Sequence, residues 1–135
     1  MKSKHKRVIL DTNLWISFLI SKNYSKLDDI IFSKKCILIF SEELLDEFLE
    51  VVNRPKFRRF FSSIDIKELL ETIHEYGEFV EVKSRVEVCR DIKDNFLLSL
   101  ASDGNADFLL TGDMDLLVLK KYNKTKILTI SDFLK

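Results

Sequence analysis

The chain has 135 residues, 46% hydrophobic and 33% charged, a composition of globular proteins that excludes the disordered and fibrous classes. Lys plus Arg and Asp plus Glu both number 22, so formal net charge is zero. A polyanion would therefore have to be met by a local patch rather than by bulk charge.

The basic lead, residues 1–6, is followed by only three apolar residues before Asp11, too short for a signal peptide, and no run approaches a membrane span. Cys36 and Cys89 lack CxxC or Cys/His spacing, which reads as two reduced thiols in a cytoplasmic protein. One proline and three glycines leave no flexible linker, so residues 1–135 are expected to form a single domain.

Strand-length apolar runs occupy 8–10, 37–40, 79–82, 108–110 and 127–130, and helical patterns lie between them. NLWISFLI follows Asp11 directly, and SKLDDIIFS sets Leu27, Ile30 and Ile31 on one face. SEELLDEFLEVV opens on Ser41 as its N-cap and spaces Leu44, Leu45, Phe48, Leu49 and Val52 helically. IDIKELLETIHEY carries Ile66, Leu69, Leu70 and Ile73, and DNFLLSLASD carries Phe96, Leu97, Leu100 and Ala101. Short unbroken strands alternating with amphipathic helices predict an α/β domain with a largely parallel sheet.

Two of the strands run straight into acids. RVILDTN passes from Leu10 to Asp11, and ADFLLTGDMDLL passes through Thr111 and Gly112 to Asp113 and Asp115. Ligands of open parallel sheets sit beyond the carboxyl ends of the strands, where strand order reverses. If these two strands are neighbours there, their acids share one site. Carboxylates gathered in a pocket repel one another unless cations neutralise them, and an oxygen-rich set suits Mg²⁺ or Mn²⁺. Further acids are available on the Ser41 helix, where spacing alone allows Glu47 or Glu42, and in CRDIKDNFLL, where Asp91 and Asp94 precede or open a helix. Capping that helix is the plain alternative for Asp94. His74, mid-helix, reads as a packing or surface residue, and His5 belongs to the basic lead.

VILDTNLWISFLI, SEELLDEFLEVVNRPKF, CRDIKDNFLLSLASDGNADFLLTGDMDLL and ILTISDFL, in that order, resemble a PIN-domain protein over nearly the whole chain. More narrowly, they resemble the bacterial branch described as toxins of toxin–antitoxin pairs. The resemblance implies a three-layer α/β/α sandwich with a central, mostly parallel sheet of four or five strands. It implies a metal-dependent single-strand endoribonuclease using one or two Mg²⁺ or Mn²⁺ ions, an antitoxin protein as partner and a homodimer.

On matching positions it makes Asp11, Glu47, Asp94 and Asp113 the metal and catalytic acids, choosing Glu47 over Glu42. Asn13, Thr111, Asp91 and Asp115 match supporting positions, though capping and solvated turns account for them equally well. Arg54, Lys56, Arg58 and Arg59, with Phe57 and Phe60 between them, are the first choice for the RNA-binding rim; Lys34–Lys35 and KKYNKTK (120–126) are others. A non-catalytic PIN-like domain that binds RNA or a partner is the alternative. A phosphotransfer domain with a nucleophilic aspartate after strand one is disfavoured, since Asn13 stands where such enzymes commonly place a second acid.

Overall fold

A computed structural model of the protein describes residues 6–21, 36–61 and 63–134. The basic lead with His5, the helix expected over 25–33, and Lys34 and Lys35 lie outside the described residues. The strands are β1 (Lys6–Leu10), β2 (Cys36–Phe40), β3 (Gly77–Phe79), β4 (Phe108–Leu110), β5 (Lys121–Tyr122) and β6 (Thr125–Leu128). The helices are α1 (Thr12–Ser21), α2 (Glu42–Val52), α3 (Ser63–Tyr76), α4 (Ile92–Asp103), α5 (Met114–Leu117) and α6 (Ile130–Phe133), with a 3-10 turn at Pro55–Phe57.

The strands form one sheet in the order β3-β2-β1-β4-β6-β5, parallel except for the β5–β6 hairpin at one edge. From β1 the chain moves out through β2 to β3, then returns across the sheet to β4 and continues to β6. Parallel crossovers are right-handed, so reversing the direction of travel sends the connecting helices to the opposite face. An α/β/α sandwich follows. β1 and β4 meet at the reversal, with Leu10 beside Leu110. Val8, Ile9, Leu10, Leu109 and Leu110 are buried, as residues covered on both faces must be.

Two strands end earlier than the sequence predicts. The expected 79–82 strand pairs over Gly77–Phe79, because α3 runs directly into it. A Cβ on Gly77 would stand 2.5 Å from the Ile73 carbonyl oxygen, so only glycine allows that junction. The expected 127–130 strand ends at Leu128, because Thr129 Oγ1 accepts the Asp132 N–H (3.1 Å) and caps α6 at Ile130. The sixth strand, β5, was unanticipated: two residues paired with β6 carry too little apolar pattern to read.

Helix α4 is buried nearly all round, which a helix with one face on a sheet would not be. The extended segment 80–91 runs along it. Asp103 accepts the N–H groups of Lys83 (2.6 Å) and Ser84 (2.8 Å), and Ser99 Oγ accepts that of Val86 (3.0 Å). Asn95 Oδ1 accepts those of Val88 (3.0 Å) and Cys89 (2.7 Å). Three side chains spaced four residues apart thus lash an antiparallel strap to the helix. Cys36 and Cys89 are not joined in a disulfide, and His74 is exposed against Phe79. Among the described residues no helix is long and apolar enough to cross a membrane.

Candidate metal centre

Register alone brings the two strand tips together. The Asp11 N–H donates to the Leu110 carbonyl (3.0 Å), extending the β1–β4 ladder by one residue. Thr111, 1% exposed, donates its hydroxyl to Asp11 Oδ2 (2.8 Å) and accepts the Asp113 N–H (3.0 Å). One threonine therefore fixes both tip acids. Each also caps the helix that follows: Asp11 Oδ1 accepts from Asn13 N–H (3.3 Å) and Asp113 Oδ1 from Asp115 N–H (2.9 Å).

Asp91 and Asp94 divide the roles that the sequence left open between them. Asp91 is the cap of α4, taking the Lys93 N–H at 2.9 Å, and is exposed. Asp94 sits within the first turn and is 4% exposed. Among the described residues no donor reaches its Oδ2. Its hydrogen-bonding neighbour is another carboxylate, Asp113, which serves only when one of the two carries a proton. Burial, then the charge of Asp113 and that hydrogen bond, with Asp91 and Asp11 adding repulsion, push the Asp94 carboxyl up to about 7. Burial, then the charges of Asp94, Asp115, Asp113 and Asp91, raise the Cys89 thiol.

Asp11, Glu47, Asp94 and Asp113 all line one open cavity of about 300 Å³, together with Asn13 and Asp91. Glu47 is half-buried on α2, whereas Glu42 is exposed and not part of the lining. Thr111 is not part of the lining but holds two acids that are, Asp11 and Asp113, through hydrogen bonds. The tightest gathering includes an acid rated lower from sequence: one oxygen each of Asp94, Asp113 and Asp115 lie within 4.8 Å of one another. Asp115 also meets Arg90 at 3.4 Å.

Of the basic candidates, Arg54 and Lys56 line the cavity with Phe57, but Arg58 and Arg59 do not. Arg58 turns to the Asn53 carbonyl (3.3 Å), and Arg59 lies over Phe60. The 120–126 run straddles the β5–β6 hairpin, whose turn is at the amino end of β6. As β6 is parallel to β4, that turn faces away from the acids. Lys93, not singled out from sequence, does line the cavity and stands 3.7 Å from Glu47 Oε1.

The family model for the PIN domain matches residues 7–115, a span that contains every acid of the cavity. The chain belongs to the PIN-domain family. PIN domains are in general metal-dependent nucleases, and the acid-lined cavity of this one suits that chemistry: hard oxygen donors, and a buried carboxylate oxygen without a donor, are what a hard divalent ion satisfies. The PIN domain is similar to uncharacterized protein MJ1680 of Methanocaldococcus jannaschii, with 31% identity over 121 residues, 87% of this chain and 77% of that protein. No solved structure matches it.

Proposed function

We propose that this PIN domain is a single-strand endoribonuclease in which Asp11, Glu47, Asp94 and Asp113 hold one or two Mg²⁺ or Mn²⁺ ions, with Asp115 adding charge beside Asp94 and Asp113. The observation that carries the reading is Asp94, an acid with an unpartnered oxygen and a carboxyl raised to about 7 by burial and then by the acids around it. These acids would hold a cation in the place of that proton. When bound, a divalent ion would make water more acidic and offset charge on a phosphodiester. The chain's own part is to hold the acids. Thr111 fixes Asp11 and Asp113, α4 presents Asp94, and Arg54 and Lys56 offer positive charge to RNA at the wall.

The expected result is degradation of single-stranded RNA with Mn²⁺, abolished by chelator and by Asp11→Asn or Asp94→Asn. Metal-independent cleavage, or cleavage indifferent to both substitutions, rejects the mechanism. Binding of RNA without cleavage would favour the non-catalytic reading instead.

The motif set also supports a role as the toxin of a toxin–antitoxin pair: a cytoplasmic, single-domain, homodimeric protein blocked by an antitoxin. Growth arrest on expression, relieved by the product of an adjacent gene, is the result expected. Normal growth while the purified protein cuts RNA would separate the chemistry from that role.

A further inference from the structure

Among the described residues, three basic side chains line the acidic cavity: Arg54, Lys56 and Lys93. Arg54 is held by Glu50, four residues earlier, at 3.1 Å. Lys56 lies over the adjacent Phe57 ring, 5.1 Å from its centroid. Lys93 is engaged differently. Its ammonium reaches across from α4 to α2 and pairs at 3.7 Å with Glu47, one of the four acids assigned to the ions. The pair sits at the mouth, the Lys93 side chain 65% exposed and that of Glu47 28%. Lys93 also directly precedes Asp94 in the first turn of α4, so the turn that buries the acid presents the base.

We propose that Lys93 is a displaceable counter-ion that becomes a ligand for an RNA phosphate: it pairs with Glu47 while the cavity lacks a divalent ion, and turns to the substrate when an ion takes Glu47. The inference rests on the nuclease reading above. A solvent-exposed ion pair is weak, so an ion of twice the charge displaces the ammonium at little cost. The freed lysine is a compact charge on a flexible stem with three donors, suited to a single phosphate oxygen rather than a fixed planar partner. Arg54 and Lys56 are not released by that event, because neither pairs with an acid assigned to the ions. Ion and RNA then bind with positive coupling through one side chain, and the coupling is reciprocal.

The test uses the full chain with Lys93→Gln and Lys93→Arg, each first shown by circular dichroism to melt like the wild type. Mn²⁺ affinity is measured by titration calorimetry without RNA. Binding of a labelled single-stranded RNA is measured by anisotropy over a salt series, in chelator and in Ca²⁺. In Lys93→Gln, Mn²⁺ binds about 3-fold more tightly, since no ammonium competes for Glu47. RNA binding in Ca²⁺ weakens about 5-fold, and its salt slope falls by about 0.7, the loss of one single-strand phosphate contact. RNA binding in chelator does not change, and Lys93→Arg keeps the RNA affinity.

Movement of ion and RNA affinity in the same direction, as a purely structural lysine would give, overturns the proposal. So does a Lys93→Gln protein equal to wild type in both measurements while the wild type cuts RNA, a result that leaves the nuclease reading standing. A wild type that takes up neither ion nor RNA overturns both.

Discussion

The amino end of the sheet pairs its acids with donors and bases, whereas the carboxyl end buries one acid, Asp94, among others. At the amino end Glu78 is gripped by both terminal nitrogens of Arg7, whose Nε also donates to the Gly104 carbonyl (2.8 Å). Asp107 accepts the Arg7 N–H (2.9 Å) and meets Lys124 at 3.5 Å. The hydrogen bond with Arg7 holds Glu78 below the usual carboxylate range. Burial alone would raise Asp103, but bonds from the Ser84 hydroxyl and from two backbone N–H groups bring it below as well.

At the carboxyl end Asp94 is buried among fellow acids and rises to about 7. Acids that only stabilise a fold are supplied with donors and bases. Acids left to repel one another mark the place where the chain needs something from solution.

Substitutions should break this contrast in opposite ways. Asp94→Asn should cut Mn²⁺-dependent cleavage of single-stranded RNA at least about 100-fold, a loss of about 2.7 kcal/mol or more in transition-state stabilisation. Arg7→Ala should leave cleavage per folded molecule unchanged and lower stability in urea by about 2 kcal/mol, through the lost bonds to Glu78 and Gly104. A loss of cleavage in folded Arg7→Ala would show that the two ends are not independent.

Acidity should separate them too. Asp94 has a folded pKa of about 7 against an ordinary 3.8, so between these values the folded state holds the extra proton. Its contribution is fully present below the lower value and is lost as pH rises through the higher. In chelator, stability should therefore fall by on the order of 4 kcal/mol between roughly pH 4 and 8, and Asp94→Asn should flatten that fall. Glu78 and Asp103, with lowered values, act with the opposite sign: their stabilisation is present above the ordinary carboxylate pKa and disappears as pH drops through their folded values. Denaturant melts across pH in the two variants distinguish the contributions.

Smaller effects refine the picture. Thr111→Val keeps the shape but removes the hydroxyl between Asp11 and Asp113; it should cost about 1 kcal/mol and about 10-fold in cleavage, with Thr111→Ser restoring most of both. Arg54→Ala or Lys56→Ala should weaken RNA binding about 3-fold, whereas Arg58→Ala or Arg59→Ala, outside the cavity lining, should change it less than about 2-fold.

Much of this was legible in the residues. β1 and β4 are written as unbroken apolar triplets ending in acids, and Ser41 marks the start of α2 by its hydroxyl, which does accept the Leu44 N–H. What makes the tips neighbours is strand order, a long-range outcome that local periodicity does not encode; the family resemblance carried that step. Asp91 and Asp94 both suit a helix start, and only the fold reveals which one caps and which is buried. The charge of 120–126 was legible, but its distance from the acids depends on a two-residue strand too short to read. Lys93 was hidden among many lysines, since nothing in its neighbourhood announces the reach to Glu47. The Asn95, Ser99 and Asp103 row was visible as spacing, but its partners are backbone groups, which have no sequence signature.

That row works like teeth on a ratchet. Three anchors one turn apart hold successive parts of the 83–89 path, so adding or removing one residue there would throw all of them out of step at once. The slip would be handed on to Arg90 and Asp91, where the path arrives at the acids. Length between Lys83 and Cys89 should thus be far less forgiving than side-chain identity at Arg85 or Glu87, even though no helix or strand is present along the way.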